Sequence, residues 1–114
     1  MLFRSLKLAC LGNIFGGLPP PEYEKVRLNK LKLPPLMLMA GEDDDIVPEK
    51  FQRDLFELWR ATGNRGEAHF YGATGHAFFD KRSGKIDQNL ALNEALPTAI
   101  RFLQRHLMPR VEKN

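Results

Sequence analysis

Apolar positions in the middle of the chain change from a continuous run to a helical period and back to a short strand-like run. Leu36 to Ala40 is continuously apolar, which is typical of a strand covered on both faces. Glu67 to Tyr71 predicts a second strand of mixed pattern. Between them, Pro48 suits the first position of a helix and Gly63 suits its end. The apolar and Thr positions at helical spacing in this segment are Phe51, Leu55, Leu58, Trp59 and Thr62. We expect Phe51 and Trp59 to pack in the core.

The N-terminal third predicts one further strand. Leu6 to Leu11 forms a short apolar run closed by Gly12, and the Gly16–Pro21 segment that follows predicts a loop. A short helix is expected within Glu22 to Leu31. Pro34 and Pro35 then favour an extended entry into the next strand.

The C-terminal third predicts a polar loop over Phe79–Lys85 and a final helix over Gln88–His106. Pro97 lies inside this helix, so either the helix kinks there or a short first helix ends near Leu96, because proline removes a backbone donor. The expected buried stripe of the helix consists of Leu92, Leu96, Ile100, Leu103 and Leu107.

Together these elements predict an α/β fold with three layers, α/β/α. The three strands are expected to be parallel, in sequential order, and joined by right-handed crossovers. A length of 114 residues fits a single domain spanning 1–114, and 43% hydrophobic residues are enough for a core.

Charge and cysteine content argue against several classes of protein. The net charge of +3 comes from Lys and Arg scattered along the chain, whereas nucleic-acid binders concentrate them on one face. No apolar run approaches the roughly 20 residues of a membrane span. The single cysteine, Cys10, allows no internal disulfide and fits a reducing compartment, so we expect a cytoplasmic protein and a buried, inert thiol. No cofactor is indicated.

Candidate chemistry follows the second and third strands. Asp44 comes shortly after Leu36–Ala40, and His76 follows Glu67–Tyr71 within a Gly-flanked turn. Because parallel strands deliver their C-terminal loops to the same edge of a sheet, we expect the two side chains to meet. A carboxylate beside a histidine fixes its tautomer and stabilises the imidazolium, as a general base requires. The alternative is that Asp44 caps the helix and His76 only fills a turn.

The acid stands in a run of four carboxylates, Glu42 to Asp45, so its identity depends on register. Spacing alone leaves this choice open; Asp44 is the first choice and Asp43 the second. Four adjacent acids also suggest a metal site. The oxygen-ligand spacing and the glycine of a calcium loop are absent, and we therefore expect no metal.

The chain resembles the C-terminal part of an α/β-hydrolase, most closely of the dienelactone hydrolase-like family. Gly41, Asp44, Val47 and Pro48 meet the pattern G-x-x-D-x-x-V-P, and Gly72, Ala73, Gly75, His76, Phe78 and Phe79 loosely meet G-x-x-H-x-F-F. The resemblance implies the last three strands of that fold, the acid role for Asp44, the base role for His76, and a small ester or lactone as substrate.

The family nucleophile is not evident in this sequence. It would occupy a G-x-[SC]-x-G elbow, and neither of the two serines, Ser5 and Ser83, nor Cys10 stands in that pattern. One hypothesis is that the chain is the C-terminal portion of a hydrolase, without the elbow. The other is a non-catalytic α/β module that binds a partner or forms a homodimer through the open edge of its first strand, where Lys7 is the only charge.

Overall fold

The computed structural model describes residues 10–16 and 33–107. In these ranges, three strands form one parallel sheet in the order β1-β2-β3: β1 is Leu11–Ile14, β2 is Leu36–Gly41 and β3 is Gly66–Tyr71. Helix α1, Glu49–Ala61, connects β2 to β3. All three strands point the same way, so the loops after them lie along one edge of the sheet.

The central strand β2 is buried on both faces, as its unbroken apolar sequence predicts. On one face, Leu36, Leu38 and Ala40 pack against Leu55 and Trp59 of α1. On the opposite face, the alternate residues of β2 pack against the C-terminal helical region: Met37 and Met39 form a cluster with Ala95 and Phe102. The three-layer α/β/α prediction is therefore confirmed.

The first strand differs from its prediction. Gly12 does not close the strand but lies within it, because Leu11 to Ile14 pair with Leu36 to Met39 of β2. Cys10 precedes the strand. Long-range pairing overrides the poor strand propensity of Gly and Asn here. The rest of the predicted Leu6–Leu11 strand and the predicted Glu22–Leu31 helix lie outside the described residues.

Helix α1 agrees with its prediction in bounds but not in every inward position. Pro48 precedes the helix, and Gly63, with φ +85°, follows its cap at Thr62. Phe51, expected in the core, is 41% exposed, whereas Gln52 is fully buried. The helix is rotated so that the line through Gln52, Leu55 and Trp59 faces the sheet.

The segment after His76 is more regular than predicted. A short 3₁₀ turn, His76–Phe78, leads into strands β4, Phe79–Asp80, and β5, Lys85–Ile86. These strands pair as an antiparallel hairpin in place of the expected loop. Their pairing brings Phe79 opposite Ile86.

The C-terminal helical region consists of α2, Gln88–Leu90, a π-helical turn, Ala91–Ala95, and α3, Leu96–Leu107. The π turn ends just before Pro97, where the altered hydrogen bonding accommodates the missing donor. This outcome lies between the two predicted alternatives of a kink and a break.

The expected buried stripe of this region is wrong. Ala95 and Phe102 face the sheet instead, and the five predicted residues are 43–58% exposed. We call this set the α3 stripe: Leu92, Leu96, Ile100, Leu103 and Leu107. Among the described residues, no helix has the length and apolar character needed to cross a membrane.

Candidate active site

The loops after β2 and β3 are joined by backbone hydrogen bonds. Glu42 N–H donates to the carbonyl of Tyr71, and Asp43 N–H donates to that of Thr74, both at 2.9 Å. Gly41 makes this approach possible, because a Cβ at this position would lie 2.2 Å from the carbonyl oxygen of Thr74. The close packing of the two loops fixes the separation between the side chains they carry.

Asp44 uses its two carboxylate oxygens for different purposes. Oδ1 accepts hydrogen bonds from the backbone N–H groups of Ile46 and Val47, each at 2.8 Å, and so shapes the loop that leads into α1. Oδ2 lies 2.9 Å from Nδ1 of His76. The expected contact between Asp44 and His76 is therefore confirmed. The alternative that Asp44 caps the helix is wrong, because the N-cap of α1 is Pro48 and no side-chain cap is present in the described structure.

The Asp44 side chain is only 1% exposed, yet it remains the charged partner of the pair. Burial by itself raises its pKa, but the hydrogen bonds from Val47, His76 and Ile46 outweigh burial and lower the pKa below its ordinary value. A carboxylate can only accept hydrogen bonds, so Nδ1 of His76 carries the proton. Nε2 is then left with a lone pair, which is the form that a general base requires.

The imidazole of His76 is 35% exposed and rests against the ring of Phe15. Phe15, which follows β1, meets it edge-on with ring centroids 5.9 Å apart, and Phe78 meets Phe15 at 4.7 Å. Phe15, Ala77 and Phe78 all have positive φ, between 54° and 67°. Strained backbone of this kind persists where surrounding structure holds it, and it clusters at functional sites. The site thus draws on all three loops at this edge of the sheet.

Among the described residues, neither Ser83 nor Cys10 is hydrogen-bonded to this pair. Ser83 is in the turn of the β4–β5 hairpin, where its hydroxyl accepts from Lys85 N–H and lies 3.5 Å from the carbonyl of Asp80. Cys10 precedes β1, at the opposite end of the sheet from the loops that carry Asp44 and His76. Burial raises the pKa of the Cys10 thiol, which makes it a poor nucleophile. Ser5 lies outside the described residues.

The neighbouring carboxylates take other roles. Asp43, the second choice for the acid, is exposed, and Asp45 pairs with Lys81 at 2.8 Å. His69, in the middle of β3, bonds to Glu67 on the same strand at 2.8 Å. Within residues 10–16 and 33–107, no group of three or more His, Cys, Asp and Glu side chains is placed to hold a metal ion.

Sequence reasoning did not identify Phe15 as part of this site. A single Phe-Gly pair after a strand carries no local signal of what it touches, and the contact with His76 depends on three strands being paired. Gly41 belongs to the G-x-x-D-x-x-V-P pattern, but the pattern does not reveal its structural role. Its position directly after an apolar run, at the entry to a charged loop, is the signal that marks a close backbone approach.

Comparisons with known proteins point to one family and one fold. The profile of the dienelactone hydrolase family matches residues 12–107. The native thermophilic esterase Est2 of the planctomycete Thermogutta terrifontis is 32% identical with a TM-score of 0.60, over 79% of this chain and 31% of that chain. Thermogutta terrifontis esterase 2 phosphorylated by paraoxon is 30% identical with a TM-score of 0.61, over 79% of this chain and 32% of that chain.

Esterase PE8 shares the fold, with a TM-score of 0.64 at 24% identity, over 88% of this chain and 40% of that chain. No curated protein matches the sequence. The chain therefore spans between 31% and 40% of the length of these esterases.

Proposed function

This chain belongs to the dienelactone hydrolase family, and on that basis we propose that it supplies the acid and the base of a Ser/Cys-His-Asp triad. The reaction would be hydrolysis of a carboxylic ester, a lactone or a related acyl bond. Asp44 is the acid and His76 the base. The chain acts as the C-terminal portion of the hydrolase, and the nucleophile comes from outside the described residues.

The hydrogen bond between Asp44 and His76 carries this proposal. With Nδ1 held by the buried carboxylate, Nε2 takes a proton from the attacking hydroxyl or thiol and later returns it to the leaving alcohol. The negative charge of Asp44 stabilises the imidazolium that exists between these two transfers. Each step uses the pair in the protonation state that its hydrogen bonds favour.

The orientation of His76 suggests the side from which the nucleophile arrives. The histidine starts in the loop after β3, bonds to Asp44 after β2, and reaches the ring of Phe15 after β1. Among the described residues, β1 pairs only with β2, so its other edge is free. A further parallel strand beside β1 would bring its C-terminal loop to the same edge of the sheet, close to Phe15 and His76.

The exposed α3 stripe also supports a further strand next to β1. Arg105, on the polar side of α3, donates to Glu67 of β3 at 2.6 Å, so the polar side of the helix faces β3. Leu96 and Ile100 each come one position after an alanine that faces the sheet. One position turns the side chain by about 100° around the helix axis. This turn is in the direction opposite to that of Arg105. The stripe therefore faces the β1 side, where a further strand and its helix would cover it.

A segment graft would test the proposal. Residues 12–107 replace the matching segment of Thermogutta terrifontis esterase 2, and hydrolysis of p-nitrophenyl acetate and labelling by paraoxon are measured. We expect both reactions in the graft. His76→Ala should lower turnover by a factor on the order of 10⁴ or more, because the nucleophile loses its base. The matched control His69→Gln should leave the rate within about twofold.

A folded graft that is fully active with His76→Ala would refute the catalytic role. The chain by itself should give no saturable turnover of p-nitrophenyl acetate. Saturable turnover that disappears with Cys10→Ala would identify an unconventional nucleophile and contradict the proposal.

The second candidate function is a non-catalytic module that forms a homodimer through β1. The same observations favour it: β1 has a free edge within the described residues, and the exposed α3 stripe lies on that side. An antiparallel pairing of two β1 strands would place two stripes against each other. Sedimentation at micromolar concentration distinguishes the two: a dimer that Ile100→Asp disperses supports the module, whereas a monomer contradicts it.

A further inference from the structure

A cleft next to His76 has no role in the chemistry described so far. It lies between the acidic loop after β2 and the β4–β5 hairpin, and it encloses about 290 Å³. The cleft is lined by Asp43, Asp45, Ile46, Gly75, His76, Phe79, Lys81 and Ile86. Its volume is close to the lower limit of pockets that bind small ligands.

Three large apolar side chains line this cleft and are exposed to solvent. Ile46 lies on the loop side and is 70% exposed. Phe79 and Ile86 are opposite each other across the β4–β5 pairing, which places both on one face of the hairpin. A cluster of exposed apolar residues that meets a reactive group is better explained by ligand binding than by stability, since in the free protein it leaves apolar surface in water.

The charges around the cleft disfavour an anionic ligand. Asp43 and Asp45 stand at its rim, and Lys81 pairs with Asp45 at 2.8 Å. The hydrogen bond that Lys81 donates to Asp45 raises the pKa of Lys81, so the lysine stays protonated and neutralises that acid. The charge of Asp43 is left over, which disfavours a carboxylate ligand in the cleft.

We propose that this cleft binds the aliphatic group of a neutral ester substrate and that Ile46, Phe79 and Ile86 set the preference for that group. The inference rests on the proposed function, because it uses the position of the cleft beside His76. The substrate class is thus narrowed from acyl compounds in general to neutral esters with an aliphatic chain.

The isoleucines of the chain provide a direct test. There are four: Ile46 and Ile86 line the cleft, whereas Ile14 and Ile100 are exposed elsewhere. Selective labelling of their δ1 methyl groups allows an NMR titration with the aliphatic alcohols ethanol, 1-butanol and 1-hexanol. We expect saturable shifts of Ile46, Ile86 and the His76 ring, with affinity rising about two- to fourfold for each added methylene.

Two exposed isoleucines make a matched pair of variants. Ile46→Asn should weaken 1-hexanol binding about fivefold, the equivalent of roughly 1 kcal/mol, whereas Ile100→Asn should leave it unchanged. Both sites are on the surface, so both variants should fold. Circular dichroism provides the check on folding.

Linear shifts of all four methyl groups would indicate unspecific apolar contact and overturn the proposal. Saturable binding that leaves the His76 ring unaffected would overturn it too, since the ligand would then lie away from the dyad. The titration requires no nucleophile, so its result is independent of hydrolysis. If the cleft binds 1-hexanol but the graft hydrolyses no ester, only the proposed function fails. If the graft is active and Ile46→Asn leaves its preference for longer esters unchanged, only the proposed role of the cleft is contradicted.

Discussion

The double role of Asp44 leads to a prediction that separates loop stability from the dyad. Asp44→Ala removes the acceptor for two backbone N–H groups and the partner of His76. Asp44→Asn keeps an oxygen for the two N–H groups but places an amide NH₂ group where a carboxylate oxygen faces His76. Asp43→Asn removes an exposed charge, and the Asp43 side chain makes no comparable hydrogen bond to the described residues.

The hydrogen bonds lost in each variant determine the expected loss of unfolding free energy. A buried donor left without an acceptor costs about 1–3 kcal/mol, and a hydrogen bond to a charged group contributes about 1.5–3 kcal/mol. Because the N–H groups of Ile46 and Val47 are only partly buried, we expect Asp44→Ala to lose about 2–4 kcal/mol of unfolding free energy. Asp44→Asn should lose about 1–2 kcal/mol, and Asp43→Asn less than about 0.5 kcal/mol.

The tautomer of His76 is the second readout. In the parent chain, Nδ1 carries the proton because it faces a carboxylate; in Asp44→Asn, the amide can donate, and the ring can then carry its proton on Nε2. Urea unfolding measures the free energies, and the ¹⁵N shifts of the imidazole report the tautomer. Equal losses for Asp44→Asn and Asp43→Asn, or an unchanged ¹⁵N pattern, would refute the reasoning.

Three further predictions address the supporting structure. Gly41→Ala should destabilise the fold by about 3 kcal/mol or more and break the dyad bond in NMR spectra, because its Cβ would overlap the carbonyl of Thr74; an unchanged midpoint in urea would contradict this. Gln52→Met should stabilise by about 1–2 kcal/mol in the same assay, since the Gln52 amide is buried without a hydrogen-bond partner in the described structure; a loss of stability would show that the amide has a partner. The pKa values of Asp44 and Glu67 are both lowered, since their hydrogen bonds outweigh burial. Their stabilisation should therefore be complete above the ordinary carboxyl pKa and be lost below about pH 4, as the pH falls through the lowered values. Urea midpoints from pH 7 to pH 3 test this, and a midpoint that does not fall would contradict it.

Local pattern was sufficient for the parts of the fold that one element determines. The unbroken apolar run of β2 correctly predicted a strand buried on both faces. Pro48 and Gly63 correctly predicted where α1 begins and ends. Because strand and helix alternate, β2 and β3 had to be parallel, and their loops had to share an edge. That reasoning brought Asp44 and His76 together from sequence alone.

Tertiary structure decided which face of each helix meets the sheet and which segments pair over long range. The periodicity of α3 marks an apolar stripe but not what covers it, and a rotation of one residue placed Ala95 and Phe102 on the sheet and left Leu96 and Ile100 in water. The same limitation applies to Gln52 in α1. The orientation of a helix results from packing between layers. The contact of Phe15 with His76 depends on the order of the three strands. The local period of hydrophobicity therefore encodes neither the helix orientation nor this contact.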